Sequence, residues 1–83
     1  MPDTPGQRNI IGKRIREART LGNVSQEELA ARLAIRGIYF DRSAISRMEA
    51  QKRFIRDYEI LAIADSLKIS IDWLFGRSEK LKK

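Results

Sequence analysis

The sequence predicts an all-α fold of five helices around one small core. Three observations predict it. Apolar residues recur at spacings of three and four, capping residues stand ahead of four of those stripes, and no run alternates apolar with polar as a half-buried strand does. At 83 residues there is room for one compact domain, and folding at this size buries about 60% of the surface the unfolded chain exposes. No internal repeat or low-complexity tract interrupts the pattern.

Residues 1–8 hold both prolines and one glycine with little to bury, and are expected to form a flexible arm ahead of a domain spanning 9–76. Ile11, Ile15, Ala18 and Leu21 form the stripe of a first helix, and Gly22 is its natural stop. Ser25 followed by Glu28 is a capping box that opens a second helix, whose buried side is Leu29, Ala30 and Leu33. Gly37 is expected to take positive φ and close that helix near Arg36. The apolar connection Ile38-Tyr39-Phe40 then reads as cover for the core, since apolar residues in a helix connection more often pack than stack on bases.

Asp41 caps a third helix in which Ala44, Ile45 and Met48 share one face while Arg42, Ser43, Ser46 and Arg47 share the other. That second face is short, polar and basic, and suits contact with something polar. After the basic hinge from Gln51 to Arg56, Asp57 is the expected cap of a fourth helix with Ile60, Leu61, Ile63, Ala64 and Leu67 as its apolar set. Ser70 caps a last short helix holding Trp73, Leu74 and Phe75, and residues 77–83 read as a solvated basic tail.

Composition narrows the function. Lys and Arg number 17 against 11 Asp and Glu, a net charge of +6 that attracts polyanions, nucleic acid first among them. With no cysteine and no histidine, disulfides, thiolate or imidazole zinc sites, Cys nucleophiles and a Ser/His triad are all excluded. The acids are spread over several helices, so neither an enzyme nor a metal site is expected, and no cofactor. No segment approaches the roughly 18 consecutive apolar residues of a membrane span, and the first residues lack a hydrophobic signal region, so the expected location is the cytoplasm, at the nucleoid when bound to DNA.

The string Gln26-Glu27-Glu28-Leu29-Ala30-Ala31-Arg32-Leu33, followed by Arg42-Ser43-Ala44-Ile45-Ser46-Arg47-Met48-Glu49, resembles the helix-turn-helix of the Cro and phage-repressor family, the XRE-like regulators. Ile11-Gly12-Lys13-Arg14-Ile15-Arg16 and the stretch from Leu67 to Gly76 resemble that family's first and last helices, so the likeness runs from about Asn9 to Gly76. Two departures stand out. Ala34 occupies the place of the usual turn glycine, with about five extra residues lengthening the turn between helices two and three, a change whose closure cost grows only logarithmically. Lys68 stands where a helix-ending glycine is common.

The resemblance implies a homodimer on double-stranded DNA at a pseudo-palindromic operator, most simply as a transcriptional repressor. It implies that Gln26 bonds a phosphate at the start of helix two and that Arg42, Ser43, Ser46 and Arg47 read base edges. Lys52 and Arg53 would clamp the backbone, with Arg8, Arg14 and Arg56 as further candidates. It implies an ion pair between Arg19 and Glu49, and a two-fold contact through Trp73, Leu74 and Phe75, for which packing within one chain is the alternative. The rival function is a protein-interaction or antitoxin module on the same fold.

Overall fold

One backbone device stops each of the five helices among residues 7–82, the part of the chain that the computed structural model describes. The helices are α1 (Gly12–Leu21), α2 (Gln26–Ile35), α3 (Arg42–Glu49), α4 (Asp57–Leu67) and α5 (Ile71–Leu74). After each, one residue turns left-handed: Asn23 (φ 60°), Gly37 (83°), Gln51 (64°), Lys68 (58°) and Gly76 (73°). The following N–H then donates back to the carbonyl five residues earlier, Val24 to Arg19, Ile38 to Leu33, Lys52 to Arg47, Ile69 to Ala64 and Arg77 to Asp72, at 2.8 to 3.0 Å. These Schellman closures satisfy carbonyls that a helix end otherwise orphans.

Gly37 takes the positive φ expected of it, but Gly22 does not stop α1 in this way. Gly22 has φ −86°, and its neighbour Asn23 makes the turn, because a short polar side chain tolerates the left-handed region.

The starts of the helices are closed by side chains. Ser25 and Glu28 form the full capping box, with Glu28 N–H donating to Ser25 Oγ at 3.0 Å and Ser25 N–H to the Glu28 carboxylate at 3.2 Å. Asp41 accepts from Ala44 N–H at 2.7 Å, and Ser70 from Trp73 N–H at 2.9 Å. Asp57 is not a cap. It is the first residue of α4, and Arg56 holds the cap position, its N–H donating to Glu59 at 2.8 Å.

At the head of α1, Asn9 Oδ1 accepts from Gly12 N–H at 2.8 Å while its Nδ2 donates to the carbonyls of Met48 and Arg53. One side chain thereby ties the first helix to the end of the third. The helices meet closely there: a Cβ on Gly12 would sit 2.3 Å from the Met48 carbonyl oxygen.

α1 packs on α3 and α4, α2 packs on the same two, and α5 closes the base of α4. Ile15, Leu29, Leu33, Ile45, Met48 and Ile63 are wholly buried at the centre, each worth roughly 1.5–3 kcal/mol over an exposed position. Three apolar residues expected inside lie outside: Leu21 at the end of α1, Leu61 on α4, and Tyr39, which is 82% exposed. Residues 38–40 run without helix, and exposure alternates along the segment. Ile38 and Phe40 turn toward the core and Tyr39 turns away.

The expectation for α5 also needs correction. Trp73 and Leu74 are 5% and 1% exposed within a single chain, so they fill this chain's own core and are not free for a partner; only Phe75 stays half-buried. A core this small needs their area. The expected solvated tail turns back: Ser70 N–H donates to Leu81 O at 2.8 Å and Leu81 packs against the core. Of the expected arm, residues 1–6 lie outside the described residues, whereas Arg8 N–H donates to Gln51 O at 2.9 Å.

Candidate nucleic-acid interface

With roughly 100° between successive residues of a helix, α3 divides into two faces. Ala44, Ile45, Met48 and Glu49 point inward; Arg42, Ser43, Ser46 and Arg47 are all exposed on the other side. What holds that exposed face in place is mostly polar. Glu49, its side chain only 5% exposed, accepts from Arg19 Nε at 2.7 Å and Arg19 Nη2 at 3.1 Å, and from Gln26 Nε2 at 3.1 Å. Arg19 also donates to Val24 O at 2.9 Å. One carboxylate thus joins α1, α2 and α3. Its hydrogen bond pushes the pKa of Arg19 above the ordinary arginine value, against the opposing effect of burial.

The network reaches the surface through Gln26. Its Oε1 accepts from Arg42 Nε at 3.2 Å, and the Arg42 guanidinium also lies 3.5 Å from the Glu27 carboxylate. Gln26 is therefore oriented from both ends, by a buried acid and by an exposed arginine. Around these residues opens a polar cleft of about 510 Å³, lined by Arg16, Arg19, Gln26, Arg42 and Ser46 together with the acids Glu27 and Glu49. The start of α2 borders it with the partial positive charge of a helix N-terminus. Arg16 was not foreseen as part of the site. The signal was available: Arg16 lies three residues before Arg19, one turn along the same side of α1.

On the other flank of α3 lies a second cleft of about 470 Å³, lined by Ala34, Tyr39, Phe40, Asp41, Ala44, Arg47 and Arg53. Arg53 stacks on the Phe40 ring at 4.4 Å, donates to Phe54 O at 3.1 Å and lies 3.5 Å from the buried Glu59 carboxylate. Its guanidinium serves the fold before any outside ligand. Lys52, by contrast, is exposed just beyond the helix, held by its backbone N–H on Arg47 O at 2.8 Å. Arg8 and Arg14 lie over the rings of Phe54 and Trp73, at 5.0 and 4.5 Å, and Arg56 is 3.6 Å from Glu59.

The structure thus brings Gln26, Arg42 and Ser46 to one cleft, sets Ser43 and Arg47 on the same exposed face of α3, leaves Lys52 exposed beyond the helix end, and gives Arg53 an internal role. Among the described residues no group of His, Cys, Asp or Glu is placed to hold a metal ion, and no helix is long and apolar enough to cross a membrane.

Two helices in tandem, the second presenting a polar, basic face on a rigid support, define a DNA-binding helix-turn-helix module. The helix-turn-helix family model of the Cro/C1 type, XRE-like, matches residues 15–74, and the chain belongs to that family of DNA-binding regulators. No curated protein and no solved structure matches it significantly.

Proposed function

We propose that the chain is a sequence-specific transcriptional repressor that works in the cytoplasm as a homodimer and lays α3 in the major groove of a nearly palindromic operator. The observation that carries this reading is the exposed face Arg42, Ser43, Ser46 and Arg47 on a helix whose other face is locked by Met48, Ile45 and the Glu49 network. An Arg fork suits O6 and N7 of guanine, and serine accepts or donates as the base requires. Gln26 bonds one backbone phosphate beside Arg16, and Lys52 supplies salt-sensitive attraction.

With Trp73 and Leu74 in the core, the two-fold contact passes to Phe75. That ring lines an apolar cleft of about 410 Å³ with Ile10, Phe54, Ile55 and Ile60, of which Ile10 and Phe54 are exposed. A dimer of this kind sets its two recognition helices about 34 Å apart.

Titration of the pure protein on DNA from around its own gene and on random DNA, at several salt concentrations, tests the reading. Affinity at least about a thousandfold higher for the specific site is expected. Binding indifferent to sequence would instead turn the reading toward a protein-interaction module. Sedimentation at the same protein concentrations tests the dimer, and a strictly monomeric species on DNA would remove it.

A further inference from the structure

The recognition helix is flanked by a cleft on each side, and only one has a role so far. Arg42 and Ser46 line the first; Ala44 and Arg47, well over 100° further round the helix by its period, line the second. A major groove about 12 Å wide that receives a helix likewise brings one sugar-phosphate wall to each flank. Gln26 meets one wall.

In the second cleft the exposed polar groups besides arginine are the phenol of Tyr39 and the carboxylate of Asp41, and the carboxylate is engaged by Ala44 N–H as the cap of α3. The lengthened turn presents the phenol firmly. Gly37 closes α2 on a Schellman turn, Ile38 and Phe40 anchor the segment on either side of Tyr39, and Asp41 caps α3 directly after. Arg53 stacked on Phe40 braces the floor of the cleft and adds positive potential to it. A bulky aromatic 82% exposed on so fixed a support gains nothing for the core.

We propose that this cleft is a second backbone seat, in which the Tyr39 hydroxyl donates a hydrogen bond to a DNA phosphate on the groove wall opposite the one at Gln26. The inference rests on α3 entering the major groove. A phenol is neutral, so its contact releases no counterion, unlike that of a lysine.

The test is Tyr39→Phe and Tyr39→Ala, titrated on the operator and on random DNA across salt, with thermal unfolding as the control for folding. Tyr39→Phe should weaken both DNAs about 2- to 10-fold, the loss of one hydrogen bond, with the slope of log affinity against log salt unchanged. Tyr39→Ala should lose at least as much. A methylphosphonate replacing the single phosphate at the seat should weaken the parent protein and leave Tyr39→Phe unaffected. Two outcomes overturn the proposal: both variants bind as the parent does, or Tyr39→Phe weakens only one sequence, which would make Tyr39 a base contact. Failure of the underlying reading looks different, because the parent itself would then not favour the operator over random DNA.

Discussion

Gly12→Ala puts a methyl group where α1 crosses the end of α3. The added carbon would lie 2.3 Å from Met48 O, and 3.0 Å from both Glu49 O and Asn9 Oδ1, where contact at 3.4 Å or more is ordinary. Two of those atoms are backbone and cannot rotate away, so one helix must move by about 1 Å, an overpacking cost of about 1–3 kcal/mol. The shift also stretches the bonds Asn9 makes to Gly12 N–H and Met48 O, adding about 1 kcal/mol. Alanine's better helix propensity returns about 1 kcal/mol.

The net is a loss of about 1–3 kcal/mol, which for a domain of this size lowers Tm by roughly 5–20 °C. Thermal unfolding followed by circular dichroism measures it. Gly22→Ala is the matched control, since Gly22 has negative φ and a Cβ there meets nothing closer than 3.4 Å. A Gly12→Ala protein that melts with the parent would refute the close approach and the docking of α1 drawn from it.

Glu49→Ala should cost about 3 kcal/mol, because it strands a nearly buried Arg19, while changing Arg19 and Glu49 together to apolar residues should cost less; urea denaturation of the single and double variants decides it. Lys68→Gly should stabilise by about 0.5–1 kcal/mol by relieving a left-handed non-glycine residue, whereas Gln51→Gly should not, since the Gln51 amide also donates to Asn9 O at 3.1 Å; their melting curves should move in different directions. Arg47→Ala should cost about 1–3 kcal/mol on the operator and much less on random DNA. Lys52→Ala should weaken both alike and reduce the salt slope by about one unit, each read by fluorescence anisotropy.

What was legible in the sequence was what is local. The capping box at Ser25, the cap at Asp41, the turn at Gly37 and the two faces of α3 each depend on residues within one or two turns of each other. The meeting of Asn9 and Gly12 with Met48 spans almost half the chain, and no spacing rule announces it. Trp73 and Leu74 looked like surplus for so short a helix, but surplus is a property of the whole core, which here had room for them. Tyr39 departs from expectation for a nearer reason: hydrophobicity alone puts Ile38, Tyr39 and Phe40 in the core, whereas in this non-helical connection only Ile38 and Phe40 turn inward. Arg53 looked like its neighbour Lys52 until Phe40 and Glu59 were seen to hold it.

The division of α3 into a locked face and an open one bears on how such a protein changes its target over time. Among the described residues the side chains of Ser43, Ser46 and Arg47 make no hydrogen bond or ion pair, while Arg42 is tied to Gln26 and Glu27. Exposed positions free of internal bonds usually tolerate exchange within about 0.5 kcal/mol. If this face reads DNA as proposed, three of its four positions can therefore be rewritten independently of the scaffold, and the fourth only in concert with α2. On the proposed function, a lineage carrying this domain can drift to new operators through stable intermediates, and a library randomised at positions 43, 46 and 47 samples the same neighbourhood in the laboratory.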